Sequence, residues 1–260
     1  MAGDPQVLVV VPAHNEAPRI AAVVEGLIRL GLPVLVVDDG SGDGTGEVAR
    51  TAGARVLRLE PNRGKGAALK AGFREALGEG GSRGPGPPAV GGQAAAGTVA
   101  EGSAPAGGWE AILTLDGDGQ HDPAEVPAFL EMWAQTGADL VVGARDYRSM
   151  PPIRRFTNGV SRLLFSWALR ETIPDNQCGY RLSSRRLAQA ALASPEEGFA
   201  FEVEEIAICV GRGYRLAWVP IKTIYGTETS HIKPWMHFVS FIRVTRRARR
   251  RMKQERRREE

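Results

Sequence analysis

The chain has 260 residues, of which 43% are apolar and 24% charged, and 33 Lys and Arg against 30 Asp and Glu give a formal net charge of +3. This composition excludes a fibrous, a disulfide-rich and a fully disordered protein, and the length suits one large domain or two small ones. Two cysteines are too few for a disulfide framework, so we expect a reducing compartment. The first residues do not resemble a signal peptide, and no stretch approaches about 18 uninterrupted apolar residues, so we expect no membrane-spanning helix.

Short apolar runs rich in β-branched residues alternate with helical patterns through the first 145 residues. This alternation predicts an α/β fold with a mostly parallel, Rossmann-like central sheet and helices on both faces. The predicted strands are Gln6–Val11, Pro33–Val37, Ala54–Leu59, Ala111–Leu115 and Asp139–Val142, and the predicted helices are Arg19–Leu30, Gly44–Thr51, Gly66–Leu77 and Ala124–Thr136.

One segment interrupts the alternation. Residues 78–108 contain 11 Gly and 4 Pro and show no apolar periodicity, which predicts a flexible insertion. The insertion follows a helix and precedes a strand, so it belongs at the amino-terminal edge of the sheet. Ligands of open α/β sheets bind at the opposite, carboxyl edge. A neutral excursion is therefore favoured over an active-site lid.

The pattern changes after Met150. It predicts an amphipathic helix at Ile153–Arg170, a short strand at Gly179–Ser184, a helix at Phe199–Val210 and a strand at Tyr214–Val219. We assign residues 1–232 to the main domain and residues 233–260 to a basic amphipathic helix or tail.

Polar and Gly-rich segments follow each of the first five predicted strands, and they should meet at the carboxyl edge. In Asp116-Gly117-Asp118-Gly119-Gln120, alternate residues of an extended segment would point the same way. Asp116, Asp118 and Gln120 could then present oxygens to one point, and oxygen-only donors suit Mg²⁺ or Mn²⁺. We favour a metal site here over a simple Asp-Gly turn.

Two further segments at this edge are candidates for binding the donor. Asp39 ends the second strand, where a carboxylate can accept hydrogen bonds from a ribose or a base. A capping network with Ser41 and Asp43 is the alternative. Lys65 opens a glycine-flanked helix and is placed to attract anions, although a solvated lysine is nearly as plausible. The segment lacks the spacing of a P-loop.

Together these residues resemble the family 2 inverting glycosyltransferases, which have the GT-A fold. The matching motifs are Pro12-Ala13-His14-Asn15-Glu16, Asp38-Asp39-Gly40-Ser41, Asn62-Arg63-Gly64-Lys65-Gly66 and Asp116-Gly117-Asp118-Gly119-Gln120. The continuation resembles the dolichyl-phosphate glucose and mannose synthase branch, through Asp175-Asn176-Gln177-Cys178-Gly179-Tyr180-Arg181, Phe201-Glu202-Val203-Glu204 and Val219-Pro220-Ile221.

The resemblance implies inverting transfer of a hexose from a nucleotide diphosphate sugar to a polyprenyl (dolichyl-type) phosphate, with Mg²⁺ or Mn²⁺ as cofactor. It implies that Asp39 contacts the nucleoside and that Asp116 contacts the ribose or the metal, which Asp118 and Gln120 also hold. By the same resemblance, Pro12, Ala13 and Glu16 line the nucleoside pocket, and Arg145 and Arg181 face phosphates.

The acceptor decides whether a general base is needed. A phosphate is already ionised at neutral pH, whereas a sugar hydroxyl must lose a proton. Asp175 and Glu202 are the candidate bases, and structural pairing with Arg181 or Arg185 is the alternative for both. Transfer to a saccharide or small-molecule hydroxyl, or a silent nucleotide-sugar-binding scaffold, are the competing functions. The catalytic candidates are Asp118, Asp175, Arg145 and Arg181.

The positive charge lies at the end of the chain. Residues 243–260 contain 10 Lys and Arg and 3 Glu, a net +7, so the other 242 residues carry a net −4. Apolar residues such as Trp235, Phe238 and Val244 precede or join this run, which favours docking on an anionic membrane surface. A solvated tail and a nucleic-acid patch are the alternatives, and we expect no nucleic acid because interleaved aromatics are missing. We expect a cytoplasmic protein, peripherally associated with the cytoplasmic face of a membrane, and leave open whether a separate membrane subunit is a further partner.

Overall fold

One sheet joins the strands of the computed structural model, which describes residues 6–79, 108–145, 152–222, 240–250 and 252. The described strands are β1 (Val7–Ala13), β2 (Val34–Asp38), β3 (Arg55–Arg58), β4 (Ala111–Thr114), β5 (Leu140–Arg145), β6 (Arg181–Ser184) and β7 (Leu216–Ile221). The described helices are α1 (Ala17–Arg29), α2 (Thr45–Thr51), α3 (Lys65–Leu77), α4 (Val126–Thr136), α5 (Pro152–Leu169), α6 (Arg185–Ala191), α7 (Ala200–Gly211) and α8 (residues 240–250), with a 3-10 turn at Pro123–Glu125 before α4.

The order of the seven strands is β3-β2-β1-β4-β6-β5-β7. β6 is antiparallel to both β4 and β5, and the other described pairs are parallel. The predicted α/β class with a mostly parallel sheet is confirmed. Among the first 145 residues, each predicted strand and helix begins and ends within three residues of the observed one. The agreement arises because the apolar runs that define these elements have to be buried. The short helix α6 was not predicted; the Ser184 hydroxyl caps it by accepting a hydrogen bond from Leu187 N.

The core is built on β1 and β2, whose residues are all buried. Continuous apolar strands of this kind are typical of parallel sheets covered on both faces. Helix α3 packs on both strands, and a Cβ atom at Gly72 would overlap the Val10 side chain. The glycine therefore allows the close approach that aligns the start of α3 with the ends of β1 and β2.

The topology brings seven segments to one edge, namely the residues after the six parallel strands, β7 included, and the start of the antiparallel β6. β1, β2, β3, β4, β5 and β7 point the same way, so the residues after each strand meet at the carboxyl edge. The antiparallel β6 begins at this edge with Arg181. α3 ends and β4 begins at the opposite edge, and residues 80–107 of the Gly-rich segment between them lie outside the described residues.

Helix α8 packs on the domain through its apolar side. Phe241, Val244 and Ala248 are buried, and the Phe241 ring lies 6.2 Å from that of Phe165 in α5. We expected the apolar side of this helix to face a membrane. Within residues 240–250 it instead packs against the protein, where it completes the core. Trp235, Phe238 and the predicted domain boundary at residue 232 lie outside the described residues. In the described ranges, no helix has the length and apolarity needed to cross a bilayer.

Candidate active site

Asp39 anchors the loop that leads into α3. Its side chain is buried, and its two carboxylate oxygens accept hydrogen bonds from Arg63 N at 2.8 Å and Gly64 N at 2.7 Å. Gly64 has a φ of +95°, and a Cβ atom there would lie 2.8 Å from the carbonyl oxygen of Glu197. The two hydrogen bonds to Asp39 hold the start of α3 beside the end of β2, and the glycine lets this loop approach the Glu197 carbonyl. The contact of Asp39 with a nucleoside stays a prediction.

The neighbouring aspartates have structural partners. Asp38 accepts hydrogen bonds from Ser41 N at 2.9 Å and from the Arg58 guanidinium at 3.0 Å. Asp43 accepts one from Thr45 N at 3.0 Å. The local hydrogen bonds considered as an alternative for Asp39 are thus made by Asp38 and Asp43, and Asp39 binds Arg63 N and Gly64 N.

The residues assigned to the nucleoside pocket lie at the end of β1. Pro12 and Ala13 are buried as the last two residues of the strand, and Glu16 precedes α1 and pairs with Arg19 at 3.0 Å. Asn15 lies between them and accepts a hydrogen bond from Gly42 N at 3.0 Å through its side-chain oxygen. The loops after β1 and β2 are therefore joined into one wall of the carboxyl edge.

Lys65 lies between two carboxylates. Its Nζ is 2.6 Å from Asp116 Oδ1 and 2.9 Å from Glu202 Oε1. Burial lowers the pKa of Lys65, but the two carboxylates more than reverse this and hold it above its usual value. Burial raises the pKa of Asp116, but Lys65, with smaller contributions from His121 and Arg145, brings it below its usual value. Lys65 is thus a paired, permanently charged cation, and the alternative of a solvated lysine is excluded.

Lys65, Asp116 and Glu202 form a charged cluster, and Gly179 leaves the space that this cluster occupies. A Cβ atom at this position would lie 2.8 Å from Asp116 Oδ2, 2.8 Å from Glu202 Oε1 and 2.9 Å from Lys65 Nζ. The sequence predicted Glu202 as a base or as a partner of Arg181 or Arg185, whereas its partner is Lys65, and Gly179 was not singled out. The one signal in the sequence was a glycine between Cys178 and Tyr180 within the motif at residues 175–181.

The segment from Asp116 to Gln120 is not extended. β4 ends at Thr114, residues 117 and 118 form a turn, and Gly119 has a φ of +75°. Gln120 N donates a hydrogen bond of 2.9 Å to Asp118 Oδ1. The predicted alternation of side chains along an extended segment is therefore wrong, because the chain turns at residues 117 and 118. Asp116, Asp118 and Gln120 nevertheless stay together at the edge and are all partly exposed.

Arg145 and Asp175 form a two-point ion pair. Arg145 Nε donates to Asp175 Oδ2 at 2.6 Å, and Arg145 Nη2 donates to Oδ1 at 3.0 Å. Asp175 is fully buried and also accepts a hydrogen bond from Gln177 N at 3.0 Å. The pairing of Asp175 with Arg181 or Arg185 is thus replaced by a pairing with Arg145, which ends β5. Both groups belong to the carboxyl edge.

Arg181 differs from its predicted placement. Its guanidinium is fully buried and donates to the carbonyl oxygens of Cys178 and Glu202, and it pairs with Glu205 at 3.2 Å. Since β6 is a central strand of the sheet, its first side chain points into the protein and not toward the open edge. We therefore correct the predicted contact of Arg181 with phosphates to a structural role in joining β6 to α7.

His121 is a buried neighbour of Asp116. It is 5% exposed, and its Nε2 is 3.9 Å from Asp116 Oδ2. Burial lowers the pKa of His121 to about 4, although Asp116 partly offsets this. The imidazole is consequently neutral at pH 7, and the positive charges near Asp116 come from Lys65 and Arg145.

Comparisons with known proteins agree with the motifs. Residues 8–79 and 94–190 match the model of glycosyl transferase family 2. The chain is 30% identical over 236 residues to an undecaprenyl-phosphate mannosyltransferase of Micrococcus luteus, covering 83% of this chain and 82% of the relative. It is 26% identical over 230 residues to a polyprenol monophosphomannose synthase of Mycolicibacterium smegmatis, covering 82% and 76%.

A solved structure supports the fold. Glucosyl-3-phosphoglycerate synthase from Mycobacterium tuberculosis, in complex with Mn²⁺, UDP-glucose and phosphoglyceric acid, superposes with a TM-score of 0.68 and 19% identity, covering 95% of this chain and 80% of that one. At this identity the likeness shows the fold alone, and that fold is GT-A. With the family model matching more than half of its length, this chain belongs to glycosyl transferase family 2 and is a glycosyltransferase.

Proposed function

We propose that the protein transfers a hexose from a nucleotide diphosphate sugar to a polyprenyl phosphate, with inversion at the anomeric carbon. The relatives named above act on undecaprenyl phosphate or polyprenol, according to their names, and align over most of both chains. In the reaction, an oxygen of the lipid phosphate forms a bond to the anomeric carbon. The bond from that carbon to the diphosphate breaks, and the nucleoside diphosphate leaves with the electron pair.

The observation that carries the choice of acceptor is the pairing of both candidate bases. Asp175 is bound at two points by Arg145, and Glu202 is 2.9 Å from Lys65 Nζ. A general base has to accept a hydrogen bond from the hydroxyl that it deprotonates, whereas these carboxylates are already engaged by cations of the protein. A hydroxyl acceptor requires such a base, whereas a phosphate acceptor arrives ionised. The pairing of Asp175 and Glu202 with cations therefore favours a lipid phosphate over a saccharide hydroxyl as the acceptor.

The same cations suit the two phosphorylated substrates. Lys65 and Arg145 lie at the carboxyl edge, at opposite sides of Asp116 in the strand order, since α3 follows β3 and Arg145 ends β5. We infer that they stabilise the negative charge of the donor diphosphate and of the acceptor phosphate. The nucleoside would lie against Pro12, Ala13, Glu16 and Asp39.

The acidic turn after β4 fits a divalent cation. Asp116, Asp118 and Gln120 offer only oxygen donors, which suit Mg²⁺ or Mn²⁺. Within the described ranges, no group of three or more His, Cys, Asp and Glu could hold a metal ion by itself, so we infer that phosphate oxygens of the donor complete the ligands. When bound, such an ion neutralises charge on the leaving diphosphate as a Lewis acid.

Metal binding can be tested without activity. We expect titration calorimetry to detect Mn²⁺ binding in the presence of a nucleoside diphosphate and to show at least about tenfold weaker binding for Asp118→Asn. Asp122→Asn is the matched control, since Asp122 lies four residues further on and caps the 3-10 turn by accepting a hydrogen bond from Ala124 N. Equal affinities in the two variants would remove Asp118 from the metal site.

The transfer itself is tested with labelled donors. The full chain is incubated with radiolabelled UDP-glucose or GDP-mannose, a detergent-dispersed polyprenyl phosphate and Mg²⁺ or Mn²⁺, and the mixture is extracted with organic solvent. We expect label in the organic phase, and none there when polyprenol replaces polyprenyl phosphate. Label only in water-soluble products would contradict the proposed acceptor.

A further inference from the structure

We infer that the exposed apolar side of α5 is the surface by which this protein binds an anionic lipid bilayer. The inference rests on the proposed function in one respect, because a polyprenyl phosphate stays in a membrane and the enzyme has to reach it there. The surface itself is argued from exposure, charge and position.

Exposed apolar side chains are concentrated on this helix. Among the described residues, six large apolar side chains are exposed, and four of them lie on α5. Val160, Leu163, Leu164 and Trp167 are spaced by three or four residues and so share one side of the helix, which we call the α5 apolar face. Leu163 is 71% exposed and Trp167 is 59% exposed.

The opposite side of α5 is already used. Phe165, Ala168 and Leu169 are buried in the domain, and Phe165 lies against Phe241 of α8. The helix is thus fixed in orientation by its own core contacts. The α5 apolar face points away from those contacts, and a contiguous apolar stripe on a surface helix marks an interaction site.

The charge around this face is positive. Residues 152–169 and 240–250 together contain eight arginines and no Asp or Glu. Arg247 is neutralised by Glu196 and Glu204, each at 3.1 Å. Among the other seven, the side chains of Arg155, Arg162, Arg243, Arg246 and Arg250 are exposed.

The basic and apolar parts of the surface touch. Arg249 of α8 lies 3.5 Å from the centroid of the Trp167 ring and donates a hydrogen bond of 3.3 Å to the Trp167 carbonyl oxygen. Helix α8 therefore runs beside the α5 apolar face and supplies cations to its rim. An apolar helix side bordered by arginines matches the boundary between acyl chains and anionic headgroups.

The position of α5 agrees with a membrane partner. The helix connects β5, which ends at the carboxyl edge with Arg145, to β6, which begins there with Arg181. The two strands that flank α5 in the chain therefore have the ends nearer to α5 at the active edge. Binding through the α5 apolar face would bring the Arg145–Asp175 pair close to a bilayer, where the phosphate of a polyprenyl lipid is presented.

The experiment measures vesicle binding of the full chain. Vesicles of phosphatidylcholine with increasing phosphatidylglycerol are sedimented with wild type, with a double variant carrying Leu163→Ser and Trp167→Ser, and with Leu30→Ser. Leu30 is a matched control because it is 42% exposed but follows α1. We expect binding that increases with phosphatidylglycerol and weakens in high salt, at least about tenfold weaker binding of the double variant, and no change for Leu30→Ser.

A second measurement does not depend on the folding of the double variant. Brominated phosphatidylglycerol quenches tryptophans that enter the bilayer, so vesicle-dependent quenching should fall strongly in the conservative variant Trp167→Phe. Equal quenching of wild type and Trp167→Phe would overturn the inference, as would undiminished vesicle binding of the double variant. Self-association that the double variant abolishes, in a protein that ignores vesicles, would identify a second copy as the partner and would equally overturn it.

The two proposals fail separately. Wild-type protein that binds vesicles but transfers no label to detergent-dispersed polyprenyl phosphate would refute the proposed function and leave the membrane surface intact. Wild-type protein that transfers label but does not bind vesicles would refute the membrane surface alone.

Discussion

The ammonium group of Lys65 lies 2.6 Å from Asp116 Oδ1, and this contact joins the start of α3 to the loop after β4. The same ammonium reaches Glu202 of α7 at 2.9 Å. One cation thus connects three segments of the chain at the carboxyl edge. Because its two partners are carboxylates that would otherwise repel each other, Lys65 determines where Asp116 lies.

Replacing Lys65 by Met should therefore impair transfer. The change leaves Asp116 and Glu202 without their shared cation and removes a positive charge from the proposed diphosphate site. We expect kcat/KM to fall by about 100-fold, which is typical for loss of one electrostatic contact at a reacting centre. The control is Lys70→Met in the same helix, since Lys70 is buried and donates to the Ser194 carbonyl oxygen. Equal losses in the two variants would indicate that α3 is merely destabilised.

Gly179→Ala should separate the geometry of the cluster from its charge. The added methyl group would lie 2.9 Å from Lys65 Nζ and 2.8 Å from one oxygen each of Asp116 and Glu202, so these three charged side chains would have to move. We expect activity to fall by about 10- to 100-fold, since displacements near 1 Å have effects of this size.

The matched control for that substitution is Gly159→Ala in α5, where an added Cβ meets nothing within 4 Å. Alanine at this helical position should stabilise the protein by about 0.5–1 kcal/mol and leave transfer to a detergent-dispersed acceptor unchanged. Thermal unfolding and steady-state rates of both variants provide the measurement. Wild-type activity of Gly179→Ala would show that the cluster tolerates displacement.

Much of the fold is determined by local patterns, which is why it could be predicted. The apolar runs that became β1 and β2 are buried along their whole length, and only a sheet covered on both faces buries such runs. The acidic turn after β4 was placed at the correct edge for the same reason. Its shape was missed because it depends on the left-handed conformation of Gly119, which the sequence does not fix.

The pairings within the site were beyond prediction from the sequence. Arg145 meets Asp175 because the antiparallel β6 begins at the carboxyl edge, which keeps the residues before it there. Lys65 meets Glu202 because the start of α7, which follows β6 and α6 in the chain, packs beside α3. The burial of Arg181 depends on Glu205, which α7 supplies from a distant part of the chain. A local pattern cannot distinguish an arginine paired in this way from one that faces a phosphate.

Asp175→Asn tests whether this carboxylate positions Arg145 or acts as a base. The amide keeps the shape of the side chain but loses the charge that holds the guanidinium at two points. We expect kcat to fall by about 10- to 100-fold while the pH dependence of kcat keeps its shape, because a phosphate acceptor needs no base. Asp139→Asn serves as control, since Asp139 is also a buried, arginine-paired carboxylate but precedes β5 at the opposite edge. Loss of the acidic limb of the pH profile, where a general base becomes protonated, in Asp175→Asn alone would favour a hydroxyl acceptor.

Asp139 should make the stability of the protein depend on acid. Burial raises the pKa of Asp139, but hydrogen bonds from Arg186, Arg215 N and the Ser184 hydroxyl outweigh this and hold the pKa below its usual 3.8. A carboxylate whose pKa is lowered by folding contributes stability above about pH 4, and this contribution disappears as the pH falls through the native pKa.

We therefore expect Asp139→Asn to lower the free energy of unfolding by about 1–2 kcal/mol at pH 7, where its hydrogen bonds are formed by a charged acceptor. Since Arg186 is 63% exposed, solvent weakens the ion pair and the hydrogen bonds account for most of this effect. Urea unfolding between pH 7 and pH 3 measures it, with Glu131→Gln on the exposed side of α4 as the control. The difference between wild type and Asp139→Asn should shrink toward pH 3, because the wild-type carboxylate is then increasingly protonated. A difference that stays constant over this range would show that Asp139 contributes packing and not charge.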